Sequence, residues 1–285
     1  MKYMKNKYGD ENGNIVSFWS TDDNVLCGNN KMLRENLDKI NDQLDGVIKE
    51  LKCVNTSSSI LTDKNIYYDD SNNSFHYTYD YTELFQKIIN NSKIIYIPKG
   101  EYYLSKPLTI NTSTIIISNG ANFYCNPKTS NSSAFVVLAN DVLIHGINII
   151  SKNVYAPKIG ENNVTGKSSN IYGFLIRGNN CKLDSCNVFD CFSLAYIRGY
   201  DSTYDGITTN KIIKNIILQN CNAYDSVFGV FTAFVDNVNV VNSILNNNES
   251  GLNDFCHNIY IGTQSSNITF NNVILGEGVA QCMML

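Results

Sequence analysis

Five segments of the chain carry one irregular template, with apolar or small residues at offsets 0, 2, 5 and 7. They are Val142, Ile144, Ile147, Ile149; Cys181, Leu183, Cys186, Val188; Ile216, Leu218, Cys221, Ala223; Val238, Val240, Ser243, Leu245; and Ile268, Phe270, Val273, Leu275. Side chains two apart point to the same face of a strand, so offsets 0 and 2 form one inward face and offsets 5 and 7 another. The step of three breaks that alternation and requires a tight corner. Offset 4 is Gly146, Ser185, Asn220, Asn242 and Asn272, and each unit is preceded by Asp141, Asn180, Asn215, Asn237 and Asn267. Gly, Asn and Asp are the residues that tolerate a left-handed backbone and bond their own main chain. Unit starts lie 39, 35, 22 and 30 residues apart; the shortest suffices for three short strands and three turns, and the longer ones add insertions. A third strand is read at Phe174–Gly178, Ala195–Gly199 and Ile259–Gly262. A coil this small cannot bury its own apolar face, so coils must stack, which predicts an all-β parallel β-helix.

Composition agrees with stacking. Charged residues make up 17% of the 285, below the globular average of about 25%. Polarity comes instead from 43 Asn, whose amides can hydrogen-bond up a column of equivalent corners. A net charge of −4 gives no basic field for nucleic acid, and no apolar run reaches the ~18 residues needed for membrane insertion. The nine Cys form no C-x-x-C pair; Cys186 and Cys221 share an inward column, and no His stands at ligand spacing, so core thiols are expected and no metal. Nor is there a phosphate-loop or dinucleotide fingerprint, so no cofactor is expected.

Ahead of the repeat lie an arm (1–30), a helix (31–52) and a linker with some Tyr-rich strand character (53–79); the β-helix domain spans 80–285. The helix carries Leu33, Leu37, Ile40, Leu44, Val47 and Leu51 at alternating spacings of four and three. Leu at a with β-branched residues at d favours three or more strands, so these six are the expected interface of a homotrimeric coiled coil; an amphipathic helix on its own domain is the alternative. Asp80 is placed as N-cap of a helix over Tyr81–Asn91, with Glu83 as capping-box partner. Strand, Pro-x-Gly turn and strand follow at Ile94–Leu104.

That capped helix followed by Ile-Tyr-Ile-Pro-Lys-Gly-Glu-Tyr-Tyr-Leu resembles the opening of the pectate-lyase-like right-handed β-helix domains of bacteriophage tailspikes, over roughly residues 75–285. The arm and heptad helix resemble the virion-anchoring region of trimeric tail fibres and spikes. The resemblance implies a phage tail protein, a tailspike or receptor-binding component assembled in the host cytoplasm. Its N-terminus would hold other tail proteins and its β-helix would face bacterial surface polysaccharide. A polysaccharide depolymerase, glycosidase or lyase, is the enzymatic alternative, and a purely structural tail adaptor the second. The sequence departs from the pattern at Glu277–Leu285, where another coil begins with no polar cap visible.

Glycoside hydrolysis needs two carboxylates about 5–9.5 Å apart. At offset 9, Asp190 and Asp225 fall on neighbouring coils about 4.8 Å apart and are the candidate catalytic pair; turn carboxylates satisfied by backbone N–H groups are the other reading. The insertion carrying Tyr200, Asp201, Tyr204 and Asp205 offers rings for sugar faces and carboxylates for hydroxyls, or is a solvated loop. Arg177 and Arg198 follow equivalent strands and should stack, which requires an anion between them: an anionic glycan, or Asp201.

Overall fold

The computed structural model describes residues 7–9, 15–17, 66–72, 74–125, 132–152, 171–203, 205–226, 228–246, 257–276 and 281–284. The chain divides into two compact units, Met1–Leu61 and Thr62–Leu285. In the first, β1 (Lys7–Gly9) pairs antiparallel with β2 (Ile15–Ser17). The heptad positions Leu33, Leu37, Ile40, Leu44, Val47 and Leu51 lie outside the described residues.

The second unit opens with a hairpin, β3 (Tyr67–Asp69) and β4 (Ser74–His76), and a helix, α1 (Thr82–Asn91). Asp80 accepts the Thr82 backbone N–H at 2.9 Å and also bonds the Ser105 hydroxyl. The helix begins one residue later than expected, with Tyr81 at the N-cap position and no side-chain cap from it. Phe85 and Ile89 are buried, Phe85 meeting the Tyr102 and Phe123 rings edge-on, so the helix covers the apolar interior of the first lap.

Strands β5 (Ile94–Ile97), β6 (Glu101–Leu104) and β7 (Leu108–Ile110) make that first lap. The next two are β8 (Ile115–Cys125) with β9 (Ser132–Val137), and β10 (Leu143–Ile150) with β11 (Ile171–Ile176). The fourth separates its strands cleanly into β12 (Cys181–Asp184), β13 (Asn187–Phe189) and β14 (Ser193–Arg198). It is followed by β15 (Ile213–Gln219), β16 (Asn222–Tyr224) and β17 (Phe228–Ala233). Then come β18 (Val235–Leu245), β19 (His257–Ile261), β20 (Ser265–Leu275) and β21 (Gln281–Met284). Strands of successive laps pair in parallel: Cys181 with Ile216, Ile216 with Val238, Val238 with Ile268. Val188 pairs with Ala223, and Ala195 with Val230. The laps thus build two parallel sheets, a winding compatible with a solenoid. Strands of the β12 and β13 kind form the first and second faces, in one sheet; those of the β14 kind form the third face.

The predicted inward columns are the core. Ile144, Leu218, Val238, Val240, Val188 and Ala223 are fully buried, each large side chain contributing about 1.5–3 kcal/mol relative to exposure. Cys186 and Cys221 are buried core thiols, and burial pushes the Cys125 thiol up to about 12, leaving no nucleophile there. All ten predicted left-handed positions have positive φ, from 51° at Asn242 to 73° at Gly146. At Gly146 a Cβ would stand 2.0 Å from the Ser118 carbonyl oxygen, so no other residue fits.

Amide ladders form as expected, and they have a direction. Asn237 donates to Asn215, Asn215 to Asn180, and Asn180 to the Asp141 carboxylate, at 2.8–2.9 Å. A second ladder runs from Asn222 through Asn187, Asn148 and Asn122 to Glu101. Both end on a carboxylate, which can only accept and so fixes the sense of every amide above it.

The template also occurs one lap earlier than the sequence showed. Ile116 pairs with Ile144 and Phe123 with Ile149, placing Thr114, Ile116, Ala121 and Phe123 in the columns. Two extra corner residues hide that unit, and Ser118 Oγ accepts the Ala121 N–H across it. At the other end, Ile268, Phe270, Val273 and Leu275 are only half-buried, since β20 pairs with no strand but β18 among the described residues.

Candidate functional site

Asp190 and Asp225 do fall on neighbouring laps, each directly after a paired strand residue, Phe189 opposite Tyr224. Both have left-handed backbone, φ 53° and 52°, and the Asp190 N–H donates to the Tyr224 carbonyl at 3.0 Å. They turn the chain from the second face to the third, which requires a residue comfortable at positive φ. The Asp190 carboxylate is held by Lys152 at 3.2 Å. The left-handed backbone calls for Asp, Asn or Gly at each position.

The third face ends differently. Arg177 and Arg198 leave it on successive laps, stacked as expected, and a carboxylate lies between them. That carboxylate belongs to Asp205, not to Asp201. Asp205 meets Arg177 at 2.8 Å through Oδ1 and Arg198 at 3.2 Å through Oδ2. Asp201 is kept out of the slot by its own turn: Oδ1 accepts the Thr203 N–H at 2.8 Å, and its carbonyl accepts the Asp205 N–H. The Asp201 N–H in turn donates to Asp205 Oδ2 at 2.7 Å. Gly199 starts this loop because any Cβ there would stand 2.2 Å from the Lys211 carbonyl and 2.4 Å from that of Phe234. Tyr200 bridges to Lys211 and lies under the Arg177 guanidinium, 3.9 Å from ring centroid to Cζ. Tyr204 lies outside the described residues.

Electrostatics follow the geometry. Burial opposes ionisation of Asp205, but the Asp201 N–H and the two guanidiniums outweigh it and hold the carboxyl below the usual range. The Tyr196 hydroxyl is pushed up, chiefly by burial, with Arg198 and Arg177 pulling the other way; the ring stands within the field of the cluster.

Tyr196 leads to residues that the sequence reading missed. It pairs with Phe231 and Phe231 with Tyr260, on three successive laps, with ring centroids 4.6 Å apart at each step. Their strand neighbours Ala195, Val230 and Ile259 are buried, whereas the three rings are part-exposed on the outside of the third face. Phe228 and Phe192 extend the stripe, and Tyr172 touches both Phe192 and Tyr196. A signal was present: Tyr196 and Tyr260 occupy the same place in the predicted third strands Ala195–Gly199 and Ile259–Gly262. The strand Phe228–Ala233, which joins them, is not among the predicted third strands.

Among the described residues no group of three His, Cys, Asp or Glu can hold a metal ion, and no helix is long and apolar enough to cross a membrane.

The sequence matches no protein-family model and no curated protein. Among solved structures it is similar to a protein from Parabacteroides merdae described as a "putative glycosyl hydrolase", at 10% identity, over 73% of this chain and 93% of that one, with a TM-score of 0.41.

Proposed function

We propose that this chain is the sugar-binding part of a phage tailspike: its N-terminal arm and trimeric helix attach to other tail proteins, and its laps close into a right-handed β-helix facing bacterial surface polysaccharide. The observation that carries the sugar-binding reading is the column Tyr196, Phe231, Tyr260, three part-exposed rings in file that end at a cluster of hydrogen-bonding groups. Aromatic faces pack on the C–H faces of pyranose rings, while guanidinium and carboxylate groups fix the hydroxyls. Right-handedness is the rule for connections between parallel strands of one sheet. The tail assignment is supported by the resemblance of Asp80–Leu104 and by the heptads at 33–51.

The test is retention of purified protein by capsule and lipopolysaccharide polymers. Wild type is expected to bind, and Tyr260→Ala to bind about tenfold more weakly; a wild type that no polymer retains ends the reading. Reducing ends released in the same incubation, and lost in Asp190→Asn or Asp225→Asn, would make the protein a depolymerase. Silence on glycans together with incorporation into virions would make it a structural adaptor. Light scattering addresses the anchor: a trimer that becomes monomeric when Leu37 and Leu44 are changed to Asp supports it, and an unchanged mass removes it.

A further inference from the structure

Resting on the reading of the third face as a sugar platform, we infer that the polymer it takes is uncharged. Stacked guanidiniums are where an acidic sugar would be expected to place its carboxylate, because two like charges on adjacent laps need an anion between them. In this protein the slot is filled from within. Asp205 spans Arg177 and Arg198 at 2.8 and 3.2 Å, and a third donor, the Asp201 N–H, holds it at 2.7 Å. Arg177 has further fixed partners, the Gly199 carbonyl at 3.1 Å and the Tyr200 ring beneath it. The three side chains are 16%, 22% and 12% exposed, so a ligand carboxylate could enter only by expelling Asp205.

The charges around the cluster nearly cancel: Arg177, Arg198 and Lys211 face Asp201 and Asp205, three cations against two carboxylates. Arg177 and Arg198 each meet Asp205, whereas Lys211 has no carboxylate within 4.0 Å among the described residues. It is exposed at the rim, 5.3 Å from the Tyr200 ring, where dissolved salt screens it. The column itself bears no charge on Tyr196, Phe231 or Tyr260. What remains for a ligand is ring faces, guanidinium N–H groups not taken by Asp205, and the second Asp201 oxygen. Those suit hydroxyls and C–H faces, the surface of a neutral hexose polymer.

The experiment uses immobilised neutral polymers (dextran, mannan, galactan) and acidic ones (alginate, hyaluronan, polysialate), with capture of the full chain followed by interferometry at about 50 and about 500 mM NaCl. A neutral polymer is expected to be captured with an affinity that changes less than about twofold with salt and falls about tenfold or more in Phe231→Ala, while Lys211→Ala binds like wild type. Capture confined to acidic polymers, weakening about tenfold at the higher salt, would overturn neutrality while leaving the platform standing. No capture of any polymer would overturn the platform itself.

Discussion

The left-handed corner column and the loop from Gly199 to Ile212 both put polar residues on the outside of the same laps, yet they obey different logics. In the column, Asp141, Asn180, Asn215, Asn237 and Asn267 do one job five times, each turning the backbone at φ 52–61°. In the loop, Asp205 does its job once, reaching two laps whose arginines have no equivalent elsewhere. A residue that recurs at a left-handed corner is explained by the winding; a residue that occurs once in a built cluster needs another explanation. Asp190 and Asp225 belong to the first kind, because they recur at the same turn with the same backbone angle.

The comparison breaks most visibly if the columns are not core. Val240→Asp places an unpaired charge at a fully buried position and is expected to cost at least about 3–5 kcal/mol, enough to abolish the cooperative melt by circular dichroism. A wild-type melt would mean that the inward and outward faces are inverted. The corner column is weaker. Asn215→Ala removes a residue that suits φ 61° and two ladder bonds, and is expected to cost about 1–2 kcal/mol, whereas Asn215→Gly should lose less because glycine keeps the angle at no steric cost. Equal losses in the two variants would mean that the ladder, not the backbone, carries the effect.

Acid sharpens the same contrast. Asp205 is held below its ordinary value, so its contribution is complete above the unfolded pKa of about 3.9 and is lost as pH falls through the lower folded value. Polymer binding should therefore be flat from neutrality to about pH 5 and decline only below about pH 4. A decline centred near pH 6 would point to a histidine and not to this carboxylate. The smallest effect is predicted for Asp225→Asn: Asn tolerates the left-handed turn equally well, and thermal stability should stay within about 0.5 kcal/mol.

Legibility in the sequence follows the same division. Repetition exposed the corners, the inward columns and the amide ladders, because five copies of an irregular spacing leave little freedom. It failed at Thr114–Phe123, where two extra corner residues shift the register between His145 and Ile147. It failed again in the loop, since nothing in the spacing of Asp201 and Asp205 tells which one reaches the arginines. That choice is made by a local turn, in which Thr203 claims Asp201. The aromatic column was only half legible: Tyr196 and Tyr260 hold the same place in two predicted third strands, but Phe231, which links them, lies in a strand the repeat does not mark, and its alignment is a property of the pairing.

The most direct measurement is polymer affinity in two variants side by side, Phe231→Ala and Asp225→Asn, each checked for a wild-type melt. Sugar binding by the outward aromatic column, and not by the corner carboxylates, predicts a loss of about tenfold or more in the first and wild-type affinity in the second. Undiminished binding by Phe231→Ala, with loss confined to Asp225→Asn, would contradict it and move the site to the turn between the second and third faces.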